Sequence, residues 1–500
     1  MDLSPQPDLS LLSPELRSLL SQAAQVADQR GWHIYLVGGV IRDLLYFSHG
    51  LKNLSPLPLG EGSGVRALAP NFTDIDLVVD SYHQTSKAAT GVEVAQAMRS
   101  LHPEAHLEIY GDFQTAALSW HQDPLLNSLS MDIATARTES YPHPAANPLV
   151  ATSSIYQDLQ RRDFTINTLA LRLTSGLESD HSLILDFFGG WQDLLHKQVR
   201  VLHSHSFIDD PTRIYRAVRF AVRLGFKIES QTEEYIRTSI ASGIYQQLRS
   251  TQPKIPALQN RLKTEIKYLF QAPYYQPALK LLGNLQALTC LHPNLEIAPQ
   301  LWQQLRLGDR LLRYLHQFLS PATAPSSPQN NSHYFPLSPD WLLRLELLLS
   351  ALPVDERTWV ANNLQLPADS VSRLQQLDLV ESSMTADLPE DLALAVTNLA
   401  VSQLVERLKC YEDNLLLLTA IRSSRSWRRL IWQYLTVFRR VRSPLNGNDL
   451  KNLGYPPGKQ YKIILEALTA ATLDGLITDS YSAVAFLEAN FPIQPLTNLK

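Results

Sequence analysis

The chain has 500 residues, 45% hydrophobic and 18% charged, with a net charge of −4 at pH 7. That length exceeds one comfortable core and implies several domains, while the mild acidity excludes a globally basic nucleic-acid binder, so any RNA-binding charge must be clustered locally. With only Cys290 and Cys410, a disulfide framework and a cysteine-based zinc site are excluded.

The start of the chain lacks the basic residues and apolar run of a secretion signal, and no stretch approaches the roughly 18 apolar residues that cross a bilayer. A cytoplasmic protein without a membrane partner is therefore expected. Residues 11–29 carry leucines and alanines at helical spacing. "WHIYLVGG" reads as a strand ending in Gly38 and Gly39, and "VIRDLLY" as the helix that follows. Residues 48–72, rich in Gly, Pro, Ser and Leu, read as an inserted surface loop. Further strands are expected within 106–118 and 129–137, then a proline-containing loop over 138–157. From about residue 158 the pattern turns helical, interrupted by a linker over 321–338. There is no tandem repeat and no heptad run. The fold class is α+β: a small N-terminal head of β-sheet with helices, then an elongated all-α neck, body and tail. The expected divisions are a head over 1–170, a neck over 171–250, a body over 251–320 and a tail over 339–500.

The chemistry concentrates in "NFTDIDLVV" (71–79). Ile75, Leu77, Val78 and Val79 mark a buried strand, yet Asp74 and Asp76 sit within it. Side chains alternate along a strand, so both carboxylates project from one face, where they repel unless a cation lies between them. Asp132, in another expected strand, offers a third carboxylate. Such a set suits Mg²⁺, which takes oxygen ligands and completes its shell with waters and phosphates. Two ions roughly 3.5–4 Å apart can activate an attacking hydroxyl and stabilise leaving pyrophosphate. Asp74 and Asp76 are the expected metal ligands, and Asp132 is expected to help position the ion that activates the attacking hydroxyl. The turn at Gly38 and Gly39 lets backbone approach a phosphate at a helix N-terminus, and Arg42 adds a cation one turn on.

In this order "GGVIRDLL", "DIDLVV", "RRDFTINTLAL" and "DDPTRIYRAVRFAVRLGF" resemble the class II tRNA nucleotidyltransferase and bacterial poly(A) polymerase family, of the DNA polymerase β superfamily. The segment "SPLNGNDLKNLGYPPGKQYKIILEAL" resembles a C-terminal segment of many members. The resemblance implies a nucleotidyltransferase head, two Mg²⁺ ions, CTP and ATP as substrates and tRNA as acceptor. Asp163 would accept a hydrogen bond from the ribose 2′-hydroxyl, and Arg161, Arg162 and Asn167 would support the nucleotide. Asp210 and Arg213, expected one helical turn apart, would read the base edge, with Arg216 beyond them. An acceptor and a donor in that order admit C and A while rejecting U and G. The family pattern has Glu where this chain has Asp209. Capping of a helix by Asp209 or Asp210, with Pro211 at its first position, is compatible with that role. "RLKTEIKYL" (261–269) resembles the family's last head-and-neck motif only faintly.

Residues 422–442 hold seven arginines and no acid, with Trp427, Trp432, Tyr434 and Phe438 interleaved. The aromatics read as core; Arg422, Arg425, Arg428, Arg429, Arg439 and Arg440 read as contacts to tRNA phosphates. His203 and His205 read as an exposed connector. The function expected is addition of CCA, or of its CC part with a separate A-adding enzyme as partner, to tRNA 3′ ends. Within this family a flexible loop at 138–157 accompanies CTP use, which disfavours addition of A alone. Poly(A) polymerases often end in a basic extension, and the ending "EANFPIQPLTNLK" points away from them. An inert RNA-binding protein of the same fold, and a transferase acting on a protein or small molecule, are the readings from other classes.

Overall fold

Alternating burial builds the strands around the site. Strands β1 (His33–Val37) and β2 (Asp74–Asp80) pair antiparallel, and Ile75 and Leu77 are each 1% exposed while Asp74 and Asp76 face outward. Between β1 and β2 lies helix α1's successor in the chain, α2 (Gly39–Ser48); α1 itself spans Pro14–Asp28. The Ser13 hydroxyl caps α1 by accepting from the Leu16 amide, with Pro14 at the first helical position. Helix α3 (Gly91–Leu101) leads to β3 (His106–Tyr110), β4 (Thr115–Trp120) and β5 (Leu129–Thr135). A seven-stranded sheet results, in the order β3-β4-β5-β2-β1-β8-β9, with β8 at Ala170–Leu173 and β9 at Ile184–Leu185. Among the described residues of this sheet only β2 and β5 pair in parallel, and α3 in the crossover between them packs on β4 and β5. The approach is close at Gly91, where a Cβ would stand 2.6 Å from the Ile133 carbonyl oxygen.

The structure is a computed structural model that describes residues 6–51, 72–80, 90–111, 114–121, 126, 128–146, 148–173, 184–251, 256–319, 338–385 and 400–492. Nearly all of the expected insertion at 48–72 and of the linker at 321–338 lies outside the described residues. The segment 138–157 differs from the expected loop. Strands β6 (Arg137–Ser140) and β7 (Leu149–Thr152) form an antiparallel hairpin, and α4 (Ile155–Gln160) follows. The sheet also continues past residue 170, because β8 and β9 form its edge beside β1. Two and four residues are too short for period-two alternation to show.

Beyond the sheet come α5 (Gly190–His196), β10 (Gln198–Val199), α6 (Ser206–Asp209), α7 (Thr212–Leu224), β11 (Lys227–Ile228), α8 (Ser230–Ala241), α9 (Ile244–Thr251), α10 (Pro256–Gln271) and α11 (Tyr275–Asn284). All belong to one compact unit, Met1–Glu296 with Asn363–Gln365; the other comprises Ile297–Asn362 and Leu366–Lys500.

The second unit is helical: α12 (Pro299–Leu319), α13 (Asp340–Leu349), α14 (Val354–Asn363), α15 (Ala368–Thr385), α16 (Val401–Leu408), α17 (Asp413–Arg422), α18 (Arg425–Thr436), α19 (Gly447–Asn452), α20 (Lys459–Leu473) and α21 (Ser480–Asn490). Leucines of α13 and α17 form its interior, and α19–α21 close round a cluster of their own that includes Leu450, Ile464, Leu468 and Leu487. Among the described residues no helix is long and apolar enough to cross a membrane.

Candidate active site

A cleft of about 590 Å³ opens over the sheet and α7. Its floor comes from the parallel pair, where Asp76 on β2 is the register partner of Asp132 on β5. Paired residues on adjacent strands share a face, so Asp74, Asp76 and Asp132 stand on one side, as their spacing implied. Burial pushes the Asp76 carboxyl up, Asp74 and Asp158 push further, and Arg162 opposes them. Asp132 is likewise raised, by burial first and then by Asp76 and Asp74. Both side chains touch water, but a carboxylate on a cleft floor is hydrated from one side only. Like charges crowded under poor hydration are what a divalent cation relieves.

Gly38 supports that fit. It adopts φ +77°, and a Cβ there would stand 3.3 Å from Arg162 Nη1 and 3.4 Å from Asp76 Oδ2. The space between turn and carboxylate is kept open by the missing side chain. Among the described residues no group of three or more His, Cys, Asp or Glu side chains is placed to hold a metal ion. A hard cation here would draw its remaining oxygens from water and phosphate.

The wall beside the floor is basic but organised around buried acids. Asp158 is fully buried and holds Arg161 Nη2 at 2.7 Å and Arg162 Nη2 at 3.1 Å. Arg161 also donates to Glu139 of the hairpin at 2.7 Å. The two arginines are thus pinned rather than solvated. Arg42 is 2% exposed and donates to Asp43 at 2.7 Å and to Asn167 Oδ1 at 2.8 Å. Asn167 passes the link on, donating to Asp163 Oδ1 at 3.0 Å. On its other oxygen Asp163 accepts from Arg216 Nε at 2.8 Å and pairs with Nη2 at 2.7 Å.

Burial alone raises the Asp163 carboxyl, but Arg216, the Asn167 amide and Arg213 outweigh it and hold the pKa at about 2. A carboxyl depressed from its ordinary 3.8 stabilises the fold above that pH, and the contribution is lost as pH falls toward 2. Between pH 5 and pH 2 the native protein should lose about 2 kcal/mol more stability than Asp163→Asn, read from urea midpoints. Equal losses would contradict the assignment of this ion pair.

Helix α7 supplies the far wall. Its apolar side, including Ile214, Tyr215, Val218 and Ala221, is buried, while Arg213, Arg216, Arg219 and Arg223 line the cleft. Arg219 and Arg223 extend the expected set, and the spacing of arginines in "TRIYRAVRFAVRL" was the signal available for them. Arg213 is 6% exposed and donates to the Arg161 carbonyl at 2.9 Å and to the Ser206 hydroxyl. Asp210 lies just before the helix, not on it. Its carboxylate accepts from the Thr212 amide at 3.0 Å and hydroxyl at 2.7 Å, and Pro211 is the cap residue rather than the first helical one. These two bonds hold Asp210 at the cleft edge without consuming its second oxygen, which stands 3.8 Å from Arg261 Nε. Tyr141, in the connection from β6 to β7, reaches the same end of the cleft and donates to Glu139. Ala145 beyond it donates its amide to the Asp209 carbonyl at 3.1 Å.

Residues 34–200, the sheet with its carboxylate floor, match the family described as the Poly A polymerase head domain. The A-adding tRNA nucleotidyltransferase of Geobacter sulfurreducens is 28% identical over 460 residues, 92% of this chain. The chain spans only 45% of the length of that relative. The A-adding tRNA nucleotidyltransferase of Halalkalibacterium halodurans is 26% identical over 475 residues, covering 95% of this chain and 92% of the relative. The fold is shared with the Thermotoga maritima CCA-adding enzyme complexed with tRNA, at TM-score 0.68 and 23% identity over 97% of this chain and 98% of that one. Residues 34–200 thus carry a poly(A) polymerase-type head, and the chain is similar to tRNA nucleotidyltransferases over most of its length. Further relatives carry the names CC-adding tRNA nucleotidyltransferase and CCA-adding enzyme.

The segment 261–269 matters more to the cleft than its faint sequence signal implies. Glu265 on α10 is 6% exposed and receives both Arg216 and Arg219 at 2.8 Å. The arginine-rich segment of the helical unit, by contrast, divides. Arg422 is paired with Glu381 at 2.6 Å, Arg439 with Asp413 at 2.5 Å, and Arg428 donates to the carbonyls of Ala420 and Ser423. These three therefore brace α15, α17 and α18 instead of lying open to RNA. Arg425, Arg429 and Arg440 are exposed. Trp427 and Tyr434 are buried, as core aromatics should be, and His203 and His205 are exposed.

Proposed function

We propose that this chain is a template-independent RNA nucleotidyltransferase that adds C and A to tRNA 3′ ends from CTP and ATP. The observation that carries the reading is a single 590 Å³ cleft bringing together the Asp76–Asp132 floor, Asp163 and the Asp210–Arg213 pair. The tRNA 3′-hydroxyl loses its proton to solvent as its oxygen attacks the α-phosphorus, the bond from that phosphorus to the α–β bridging oxygen breaks, and pyrophosphate leaves. Asp74 and Asp76 would hold Mg²⁺, which supplies charge stabilisation to the transferring phosphoryl group. Arg161 and Arg162, fixed by Asp158, present guanidinium edges to the triphosphate without first losing rotamer freedom. Asp163 accepts from the 2′-hydroxyl. Asp210 accepts the exocyclic amine of C or A, and Arg213 donates to the adjacent ring acceptor. Arg213→Ala should raise misincorporation of UTP about tenfold while leaving the Mg²⁺ requirement unchanged; unaltered base selectivity would contradict the role.

Addition of A alone is the second reading, favoured by the names of the two relatives that cover most of this chain. The hairpin at 137–152, with Glu139 and Tyr141 in the cleft, supports CTP use instead. Purified protein incubated with tRNA lacking CCA, or ending in C-C, with CTP, ATP or both, decides between them. Full CCA addition establishes the leading reading, CC alone implies a separate A-adding partner, A only on C-C ends establishes the second reading, and long A tails a poly(A) polymerase. No incorporation with Mg²⁺ overturns the enzyme. Arg425 and Arg429 are assigned to the tRNA backbone. Replacing both by glutamate should raise the KM for tRNA about tenfold and reduce its salt dependence, with the KM for ATP unchanged.

A further inference from the structure

We infer that Glu265 is a positioning residue for ribose recognition, acting on Asp163 through Arg216; the inference rests on the assignment of Asp163 to the 2′-hydroxyl. Each oxygen of Asp163 already has two donors. Oδ1 accepts from the Phe164 amide at 2.8 Å and Asn167 at 3.0 Å, and Oδ2 is approached by Arg216 through both Nε and Nη2. A carboxylate offers about four lone-pair directions. An incoming 2′-hydroxyl must therefore share Oδ2 with a guanidinium, and where that guanidinium sits decides whether it can.

Glu265 sets that position. Its Oε1 takes Arg216 Nη1 at 2.8 Å, the one nitrogen of Arg216 not turned to Asp163, and Arg219 binds the same carboxylate through Oε2 at 2.8 Å. Arg216 is thus suspended between two carboxylates, and Arg219 fixes the second of them. Both guanidinium groups rest against Phe220, at 5.6 Å and 4.8 Å from its ring centre. Without Glu265, Arg216 has one strong partner instead of two and settles more fully onto Asp163, occupying the direction the hydroxyl needs. The loss falls on ribonucleotides, since a 2′-deoxy sugar makes no such contact.

The test compares kcat/KM for ATP against dATP and CTP against dCTP, on tRNA acceptors lacking CCA or ending in C-C, in four proteins: native, Asp163→Ala, Glu265→Ala and Glu265→Gln. The expected result is a ribose preference that falls about tenfold in Glu265→Ala, toward that of Asp163→Ala. It should fall about threefold in Glu265→Gln, whose amide oxygen keeps the Arg216 bond while the neutral group pulls less on it. If Asp163→Ala loses the preference and Glu265→Ala retains the native ratio at a lower rate, Glu265 is merely structural and the inference fails alone. If Asp163→Ala keeps the native ratio, the ribose assignment fails and takes the inference with it. Should Glu265→Ala not fold, Glu265→Gln decides, and a native ratio there overturns the inference.

Discussion

Asp76→Ala is expected to abolish nucleotide incorporation while leaving the fold at least as stable as before. The rate should fall by about 10³-fold or more, equivalent to about 4 kcal/mol of lost charge stabilisation at the reacting phosphorus. Stability should move the other way because the carboxyl is desolvated on the cleft floor and repelled by Asp74 and Asp158. Removing it relieves a like-charge cluster on the cleft floor. The two measurements are steady-state incorporation with Mg²⁺ and the thermal midpoint in metal-free buffer. Retained activity would refute the metal assignment, and a large drop in the midpoint would show Asp76 to be structural. Asp74→Ala should behave alike in activity, since both acids leave the same face of β2.

The second large effect lies in the helical unit. Glu346, fully buried in α13, accepts from the Ser370 hydroxyl at 2.6 Å and pairs with Arg373 at 2.7 Å. Arg373 reaches on to Glu412 at 2.8 Å. Burial keeps the Glu346 carboxyl raised against the pull of Arg373 and Ser370. Arg373→Ala leaves that acid without a counter-charge and should cost about 3–5 kcal/mol. The double change Glu346→Met with Arg373→Met should recover most of the loss, because a buried pair contributes little net stability over apolar groups of similar volume. Urea unfolding followed by helical circular dichroism reads both. A single-variant loss below about 1 kcal/mol would contradict the arrangement.

These effects show how much of the site was legible beforehand. The floor was: period-two alternation places Asp74 and Asp76 together without knowledge of any partner strand. The Gly38 turn between an apolar run and a helix was legible for the same local reason. Asp132 was a candidate, but its pairing with Asp76 depends on strand register, which the alternation of β5 permits and only the assembled sheet selects. Arg42 illustrates the limit more sharply. Its position beside the glycines suggested a phosphate contact, yet its guanidinium binds Asn167, 125 residues away. Nothing near Arg42 in the chain announces that partner.

The arginine-rich segment shows the same division. Its charge and its aromatic spacing were plain; Trp427 and Tyr434 are buried as expected, while Trp432 and Phe438 are only half-buried. Which arginines remain open to solvent was not plain, because the partners of Arg422 and Arg439 are acids on other helices, Glu381 and Asp413. The hairpin at 137–152 is hard to read from the sequence because its strands are only four residues each and neither alternates between buried and exposed positions, β7 being Leu-Val-Ala-Thr with its side chains largely exposed.

By itself, then, the sequence carried the family resemblance in its ordered segments and, through period-two alternation, the strand that holds the acids, while Asp210 and Arg213 were singled out only through that resemblance. The tertiary structure decided which of those groups meet. Register brought Asp132 to Asp76, and the packing of α7 against α10 placed Glu265 behind Arg216. Hydrogen bonds and ion pairs are short-ranged and orientation-dependent, so partners far apart in the chain are chosen only when the backbone is already in place.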